Sequence, residues 1–294
     1  MITSRQLQEQ HMTPGLTIII LARNEAIHIA RAVASAKRLT DTVWVVDSDS
    51  IDNTAALAAE AGAHVVNSDA RSFSEKLNWA ITHVPLETPW VMRLDADELV
   101  SDPMAAGLAD ALSTMPLDVC GVYVRRQLWF MGQWMRHGGM FPTWSMRIWR
   151  KGCAVCESRD LDEHMLLTRG TARWLKLDVI DSPLIDLSTW IDKHNRYSTS
   201  EVAAARTAAT SEQLIHPRLF GSSVERTRWI KLNVFYRLPG MLRASLYFLY
   251  RYVLRGGFLD GRKGLIFHVL HGFWYRFLVD AKLFELAEQR ARRP

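Results

Sequence analysis

Four short apolar runs alternate with helix-like segments through the first hundred residues. Leu16–Leu21 follows a Pro-Gly pair and is rich in β-branched residues, as is typical of a buried parallel strand. The same pattern recurs at Val43–Val46, His64–Val66 and Trp90–Leu94. Strands and helices that alternate at this spacing predict an α/β fold with a right-handed, mostly parallel sheet.

The segments between these runs predict three helices. They cover Asn24–Ala36, Asn53–Ala61 and about Ser74–Thr82, and Ser72 or Ser74 is expected to cap the last of them. From about residue 120 to 185 the pattern changes to alternating, aromatic-rich segments, which predict a mixed extension of the sheet. From residue 187 onward the sequence is helix-like.

Composition limits the class of protein. The chain has 294 residues, of which 48% are hydrophobic, so it can bury a large core and is not disordered overall. A net charge of +5 favours a partner that carries phosphates. Cys120, Cys153 and Cys156 are too few for a zinc site and are interpreted as reduced thiols of a cytosolic enzyme. Met1–Pro14 is polar and unlike a signal peptide, and no apolar run reaches the ~18 residues that span a bilayer.

Acidic residues follow two of the predicted strands. Asp47 and Asp49 come after the second strand, and Asp95 and Asp97 come after the fourth. Ligands of parallel α/β sheets bind beyond the carboxyl ends of the strands. Two carboxylates there can hold Mg²⁺ or Mn²⁺ together with substrate phosphates, and such a metal offsets the charge of a departing diphosphate.

Structural interpretations of the same residues stay open. An isolated Asp-x-Asp is usually a solvated acidic loop, and Asp52 or Thr54 can cap the helix that follows the second strand. Capping leaves Asp47 unexplained, since an acid at the end of a buried strand can accept hydrogen bonds from a base or ribose. No Gly-x-Gly-x-x-Gly follows the first strand, which argues against a dinucleotide-binding fold.

The last third of the chain is basic and aromatic. From Lys231 to Lys282 there are nine Lys or Arg residues against two Asp, an excess of +7 that exceeds the net charge of the whole chain. Amphipathic helices in a lipid interface have this composition, an ordinary helical subdomain is the alternative, and a nucleic-acid surface is a third. We favour an anionic membrane and no nucleic acid, with headgroup contacts from Arg243, Arg251, Arg255, Arg262 and Lys263.

Four segments in order resemble the motifs of family 2 glycosyltransferases: Leu21–Glu25, Val45–Thr54, Glu75–Ala80 and Leu94–Glu98. Asp49 and Ile51 depart from the Gly and Thr usual in that family. The resemblance implies the GT-A fold, a Rossmann-like, mostly parallel sheet flanked by helices, followed here by a helical, membrane-associating C-terminal extension.

Four further segments are similar to the branch that includes lipopolysaccharide inner-core β-1,4-glucosyltransferases: Phe130–Gly139, Asp162–His164, Lys193–Ser198 and Gly257–Gly264. The second of these commonly reads His-Glu-His, and Asp162 replaces its first His. The two sets of motifs extend the resemblance from about Leu16 to Leu286.

The resemblance also implies roles for individual residues. Asp47 would meet the base, Lys76 would lie beside the base or diphosphate, and Asp97 would ligate the metal, with Asp95 approaching ribose and metal. Such transferases invert the anomeric centre, so a carboxylate must accept the proton of the acceptor hydroxyl. The expected base is Glu163, with Asp162 second. His164 is a candidate for the metal or diphosphate, and the other residues expected at the nucleotide are Ala22, Arg23, Asn24, Glu25, Asp49 and Ala96.

These observations predict an inverting, metal-dependent hexosyltransferase on the cytoplasmic face of a bacterial inner membrane. We expect a polar segment over residues 1–14, a catalytic domain over 15–186 and a helical region over 187–294. The nucleotide-sugar half of the catalytic domain would cover 15–100 and the acceptor half 101–186. UDP-glucose is the first expectation for the donor, and a lipopolysaccharide core or lipid-linked glycan for the acceptor. A nucleotidyltransferase and a non-catalytic, nucleotide-binding membrane scaffold are the alternatives.

Overall fold

A computed structural model describes residues 15–70, 72–157, 164–207, 220, 225–226, 229–230, 233 and 237–292, with the side chains of 204–207 left out. The chain divides into two compact units. The first unit comprises Met1–Gly132 and Pro142–Leu184, and the second comprises Gln133–Phe141 and Ile185–Pro294.

The first unit begins with the predicted alternation of strands and helices. Its elements are β1 (Leu16–Ala22), α1 (Ile29–Ala36), β2 (Val43–Asp47), α2 (Thr54–Glu60), β3 (His64–Asn67), α3 (Phe73–His83) and β4 (Trp90–Asp95). All seven residues of β1 are buried, as its continuous β-branched run predicts. Ser72 caps α3, because its side chain accepts from the Glu75 amide while the Glu75 carboxylate accepts from the Ser72 amide.

Helix α1 begins later than the sequence predicts. The expected start was Asn24, but the helix begins at Ile29. Asn24 has a φ of 55°, and the Glu25 amide donates to Thr54 Oγ1 at 2.8 Å, so the chain after β1 forms a loop bound to its neighbour. Tertiary hydrogen bonds here override a helical sequence pattern.

The remaining strands extend and close the sheet. The elements after β4 are β5 (Glu98–Val100), α4 (Asp102–Ser113), β6 (Val119–Phe130), β7 (Gln133–Trp134), β8 (Thr143–Arg150), β9 (Ala154–Cys156), β10 (Met165–Leu167) and β11 (Thr171–Asp181), of which β7 belongs to the second unit. The main path runs β3-β2-β1-β4-β8-β6-β11-β5. Strands β3, β2, β1 and β4 pair in parallel, whereas β8 is antiparallel to both of its neighbours. This mixed, mostly parallel sheet fits the GT-A arrangement.

Two apolar clusters cover the faces of the sheet. Ile18 and Ile20 of β1 face one cluster together with residues of α1 and α4, and Ile19 faces the other together with Leu77 of α3. The alternation follows from the period of two in a strand, so β1 is covered on both faces. The carboxyl ends of the strands are thereby left as the edge at which polar side chains can gather.

The second unit is helical after β7. It contains α5 (Leu187–Thr207), α6 (Leu242–Leu249), a π-helical turn (Tyr250–Leu254), a 3₁₀ turn (Gly257–Asp260), α7 (Gly261–Phe267), a second π-helical stretch (His268–Trp274) and α8 (Tyr275–Ala291). Lys282 of α8 donates to the Asn195 carbonyl at 3.0 Å and to Ser198 Oγ at 2.8 Å, which joins α8 to α5. Among the helices within the described ranges, none combines the length and apolar composition needed to cross a bilayer.

Candidate functional site

The loops after β1 and β2 are joined at the carboxyl edge of the sheet. Asp47 is buried at the end of β2, and its carboxylate accepts hydrogen bonds from the Ser50 amide at 3.0 Å and the Ser50 hydroxyl at 2.5 Å. The Asn24 amide donates to the same hydroxyl at 2.8 Å, and Asn24 Oδ1 accepts from the Ile51 amide at 2.9 Å. Two segments expected at the nucleotide are therefore held together.

Asp49 keeps the backbone that a glycine would adopt. Its φ is 51°, in the left-handed region that aspartate tolerates better than most residues. The Asp49 side chain accepts from Asn67 Nδ2 at 2.9 Å, and its amide donates to Asn67 Oδ1 at 3.3 Å. The departure from the family's usual Gly leaves this turn in the conformation that Gly favours.

Asp52 joins the same two loops and is not the N-cap residue of α2. Asn53 is the N-cap residue of α2 and makes no side-chain cap bond. Asp52 accepts from the Thr54 amide at 3.0 Å and from the Ala26 amide at 3.2 Å. Burial opposes the charged carboxylate, but the Thr54 and Ala26 hydrogen bonds outweigh it and lower the pKa of Asp52.

Lys76 lies where β1 ends. Its Nζ is 3.5 Å from the Ala22 carbonyl oxygen, and the register places Ala22 opposite Asp47. Burial and the nearby Arg23 cation lower the pKa of Lys76, whereas the charges of Asp47 and Glu25 act in the opposite direction. A half-buried amine at the carboxyl end of the central strand is well placed to attract phosphate oxygens.

A second group of charges follows β4. Arg147 of β8 is buried and pairs with Asp95 Oδ2 at 3.1 Å and with Glu98. The Asp95 amide donates to Glu98 Oε2 at 3.1 Å, and Arg93 Nε lies 3.3 Å from Asp95 Oδ1. Burial alone would raise the pKa of Asp95, but the cations of Arg147 and Arg93 lower it to about 2. Burial raises the pKa of Glu98 to about 7 despite the attraction of Arg147.

Asp181 adds a further carboxylate to this region at the end of β11. Burial and the negative charge of Asp97 raise its pKa to about 6, although Arg126 lies 3.7 Å away and opposes the shift. The charge of Asp95 acts in the same direction as that of Asp97. Asp95, Asp97 and Asp181 are therefore close enough to influence one another electrostatically.

The donor chemistry of Asp95 and Asp97 fits a divalent cation that also binds substrate phosphates. Asp95 Oδ1 is buried and lies 3.3 Å from Arg93 Nε, but it accepts no well-aligned hydrogen bond from the residues that the structure describes. Across those residues, no set of three or more His, Cys, Asp or Glu side chains is arranged to hold a metal alone. Mg²⁺ and Mn²⁺ sites with one or two carboxylates complete their shells with phosphate oxygens and water. The role of His164 at the metal or diphosphate stays a prediction.

The segment expected to carry the base lies only partly within the described residues. Glu163 and Asp162 lie outside the described residues, so their roles stay predictions. On one side of the segment, Asn78 of α3 exchanges two 2.9 Å hydrogen bonds with the backbone of Cys156. On the other side, the His164 carbonyl accepts from the Glu157 amide at 2.9 Å. Both ends of the segment are thus fixed beside α3.

Sequence analysis missed the basic partners of the acidic cluster. Arg93 and Arg147 each lie between two apolar residues of a strand, and Asp181 ends another strand. A charged residue in such a strand is rare unless it is paired, so these positions carried a usable signal. The acidic partner of Arg147 was not evident because 49 residues separate it from Glu98.

Two of the cations expected at a membrane are buried instead. Arg243 forms an ion pair with Asp280 and is 7% exposed. Arg251 is also buried and donates to the Gly138 carbonyl at 2.7 Å and to the Tyr247 hydroxyl at 2.6 Å. The prediction that Arg243 and Arg251 contact lipid headgroups is therefore wrong, because both side chains are buried with partners inside the protein. Arg255 and Arg262 are exposed, and Lys263 is half-buried.

The model of Glycosyl transferase family 2 matches residues 17–166, slightly more than half of the chain. The chain belongs to glycosyl transferase family 2. It is 38% identical over 96 residues to an uncharacterized glycosyltransferase of Rickettsia conorii, and the match covers 31% of each chain. A second such glycosyltransferase, from Rickettsia bellii, is 36% identical over 90 residues. The chain spans about a third of the length of these curated relatives.

Solved structures of glycosyltransferases are also similar. One is glucosyl-3-phosphoglycerate synthase from Mycobacterium tuberculosis in complex with Mg²⁺ and uridine diphosphate, which is 21% identical. The match covers 44% of this chain and 48% of that chain, with a TM-score of 0.34. The same synthase in complex with Mn²⁺, uridine diphosphate and glucosyl-3-phosphoglycerate matches with the same TM-score of 0.34 at 20% identity.

Proposed function

We propose that this family 2 protein is an inverting glycosyltransferase that takes its sugar from a nucleoside-diphosphate sugar. The observation that carries the proposal is the arrangement at the carboxyl ends of three adjacent parallel strands. Asp47 and Asp95 end β2 and β4, and Lys76 lies at the end of β1 between them. The carboxylates of Asp47 and Asp95 and the amine of Lys76 thus lie at the sheet edge at which α/β proteins bind ligands.

In this proposal the two groups of charges have separate tasks. Asp47 and the loop that begins at Asn24 bind the nucleoside, and Lys76 attracts the diphosphate. Asp97 and Asp95 hold Mg²⁺ or Mn²⁺, which stabilises the negative charge that develops on the leaving diphosphate. Arg147 fixes Asp95 through the 3.1 Å contact, so this acid is held ionised and oriented before the substrate arrives.

The acceptor hydroxyl loses its proton to a carboxylate during in-line attack. Glu163 is the proposed base, with Asp162 as the second candidate. Proton transfer by a positioned side chain typically contributes about 10²-fold to 10⁴-fold in rate. Inversion follows because one displacement occurs on the face opposite the leaving diphosphate.

The donor, the acceptor and the location are also part of the proposal. The four segments similar to the lipopolysaccharide inner-core β-1,4-glucosyltransferase branch support UDP-glucose as donor and a lipopolysaccharide core or lipid-linked glycan as acceptor. Such an acceptor lies on the cytoplasmic face of the bacterial inner membrane, where the protein would be peripheral. The exposed Arg255 and Arg262 support attachment there.

Thermal stabilisation by UDP tests the nucleotide and metal parts together. We expect UDP at about 100 times its Kd to stabilise the protein by about 2.7 kcal/mol, and this gain to need Mg²⁺ or Mn²⁺. Asp97→Asn should remove the metal-dependent part. Asp110→Asn, which changes an exposed acid of α4 in the same way, is the matched control. An undiminished metal effect in Asp97→Asn would refute the assignment, and release of UDP from UDP-glucose separates a transferase from a nucleotide-binding scaffold.

A further inference from the structure

The helical hairpin formed by residues 242–270 has its charges inside and its apolar side chains outside. Along Leu242–Leu254 the charged residues are Arg243 and Arg251, and both are buried. The exposed large residues of this stretch recur every three or four positions, along one face of the helix, and are Leu242, Leu246, Leu249, Tyr250, Val253 and Leu254. A helix that faces water shows the opposite distribution.

The second arm of the hairpin repeats this distribution. The residues that face inward are Gly257, Asp260, Gly264, Phe267 and His268, and those that face outward include Phe258, Leu259, Leu265, Ile266 and Val269. The arms pack through Tyr252, whose ring lies 6.0 Å from His268 and 6.3 Å from Phe258. Asp260 is occupied internally, since it accepts from the His137 amide at 2.9 Å.

The outer surface of this hairpin carries no exposed acid. Fourteen residues between Leu242 and Leu270 are exposed, and eleven of them are large apolar or aromatic residues. The other three are Gly261, Arg255 and Arg262. Soluble proteins rarely expose an apolar surface of this extent unless it binds a partner. Arg255 donates to the Tyr250 hydroxyl at 3.1 Å, so a cation and an amphipathic ring lie together at the border of the apolar surface.

We propose that the outer face of the 242–270 hairpin inserts into one leaflet of an anionic bilayer, with Arg255 and Arg262 on the lipid phosphates. The stretch from Leu242 to Leu254 is about 20 Å long, shorter than a hydrocarbon core of about 30 Å, so the face lies in the interface and does not cross it. This inference rests on the proposed peripheral attachment and assigns to it a defined apolar surface.

Charge favours lipid over a second copy of the chain as the occupant of this face. In a twofold contact the same patch meets itself. The exposed charges of the hairpin are cationic, so such a contact would offer Arg255 and Arg262 no exposed acid from the facing hairpin. Anionic headgroups complement them directly, at roughly 1 kcal/mol for each cation near the surface.

Vesicle flotation of the full chain tests the insertion with a matched pair of variants. Leu254 is 77% exposed on the hairpin, and Leu117 is 88% exposed in the first unit. With phosphatidylcholine–phosphatidylglycerol vesicles, Leu254→Glu should lower the partition coefficient on the order of 10-fold, because an apolar side chain leaves the lipid. Leu117→Glu adds the same charge outside the hairpin and should change the partition coefficient by less than about twofold. Arg255→Gln and Arg262→Gln should each lower the partition coefficient about fivefold. Vesicles of pure phosphatidylcholine should bind the native chain more weakly than the anionic vesicles do.

A spin label distinguishes insertion from surface adhesion. The three native cysteines are buried, so nitroxide attached at Leu254→Cys or Leu117→Cys reports one site. We expect oxygen accessibility to rise on vesicle addition at position 254 and to stay constant at position 117. Failure of the native chain to float, equal loss in both Glu variants, or a vesicle-independent dimer that Leu254→Glu dissociates would each overturn the inference. Stabilisation by UDP, measured without vesicles, is independent of these outcomes and reports only on the proposed nucleotide function.

Discussion

Replacing Arg147 by Met should destabilise the sheet far more than replacing a surface arginine. Arg147 is 1% exposed and is the shared cation of Asp95 and Glu98. Its removal leaves the buried carboxylate of Glu98 without its cation, whereas Asp95 is 28% exposed and keeps Arg93 as a partner. Removing one partner from a buried ion pair costs about 3–5 kcal/mol, because the remaining charge loses both water and its counter-ion. Arg38→Met is the control, since Arg38 pairs with Asp102 at the surface and such pairs are worth about 0.2–1 kcal/mol.

Native-state hydrogen exchange gives this free energy for the strands concerned. The amides of β4 and β8 report their own opening, whether or not the two units unfold together. We expect Arg147→Met to lower their opening free energy by about 3–5 kcal/mol and Arg38→Met by less than about 1 kcal/mol. Adding Glu98→Gln to Arg147→Met should restore part of the loss. Equal effects of the two arginine variants would refute the proposed role of Arg147 as a buried counter-ion.

The same cluster predicts how the stability of the native protein depends on pH. The pKa of Glu98 is raised to about 7 in the fold, above its ordinary 4.5, so the folded state binds the extra proton between these values. Stability should therefore fall as pH rises from about 4.5 to about 7, by up to about 3 kcal/mol from this group. Glu98→Gln should remove that decline. Asp95, with its pKa lowered to about 2, acts in the opposite sense and loses stabilisation as pH falls from about 4 to about 2.

Two further variants test the reaction and the second unit. Glu163→Gln should retain UDP affinity and lower turnover by about 10²-fold or more, and a larger loss in Asp162→Asn than in Glu163→Gln would move the base to Asp162. Gly138 and Gly139 both have positive φ, but a Cβ on Gly138 would overlap the buried His268 ring, whereas one on Gly139 would reach an arginine side chain at 3.4 Å. In thermal unfolding, Gly138→Ala should lower the free energy of unfolding by about 2 kcal/mol more than Gly139→Ala does. Equal losses in the two variants would contradict this packing.

The four predicted strands and the Ser72 cap of α3 were confirmed, because local sequence determines them. β1 to β4 lie at or within one residue of the predicted runs, because a β-branched run between turns has few alternatives. Ser72 and Glu75 form the capping box that their spacing allows. Helix α1 was predicted five residues too early, since the left-handed Asn24 and the bond from Glu25 to Thr54 depend on a distant loop.

Other features depend on pairings that one sequence does not reveal. The carboxylates at the strand ends were predictable because each follows an apolar run, whereas Arg147 reaches them from β8, an antiparallel neighbour of β4. In the C-terminal region, composition counted Arg243 and Arg251 as surface charges, and only the fold shows their burial. Charge counts alone do not distinguish a cation that faces water from one that satisfies a buried acid.

The position of β5 in the sheet has a consequence for synthesis of the chain. β5 pairs with β11, and Leu99 lies opposite Ile180. The cation that pairs with Glu98 is Arg147, which is 49 residues further along the chain. A ribosome that adds about 5–20 residues per second needs on the order of 4–16 seconds to extend the chain from Leu99 to Ile180. During this interval a nascent chain that ends near residue 100 has an unmatched strand and an acid without its counter-ion. The first hundred residues therefore depend on later sequence to finish folding, and we expect them not to complete this part of the sheet if they are expressed alone.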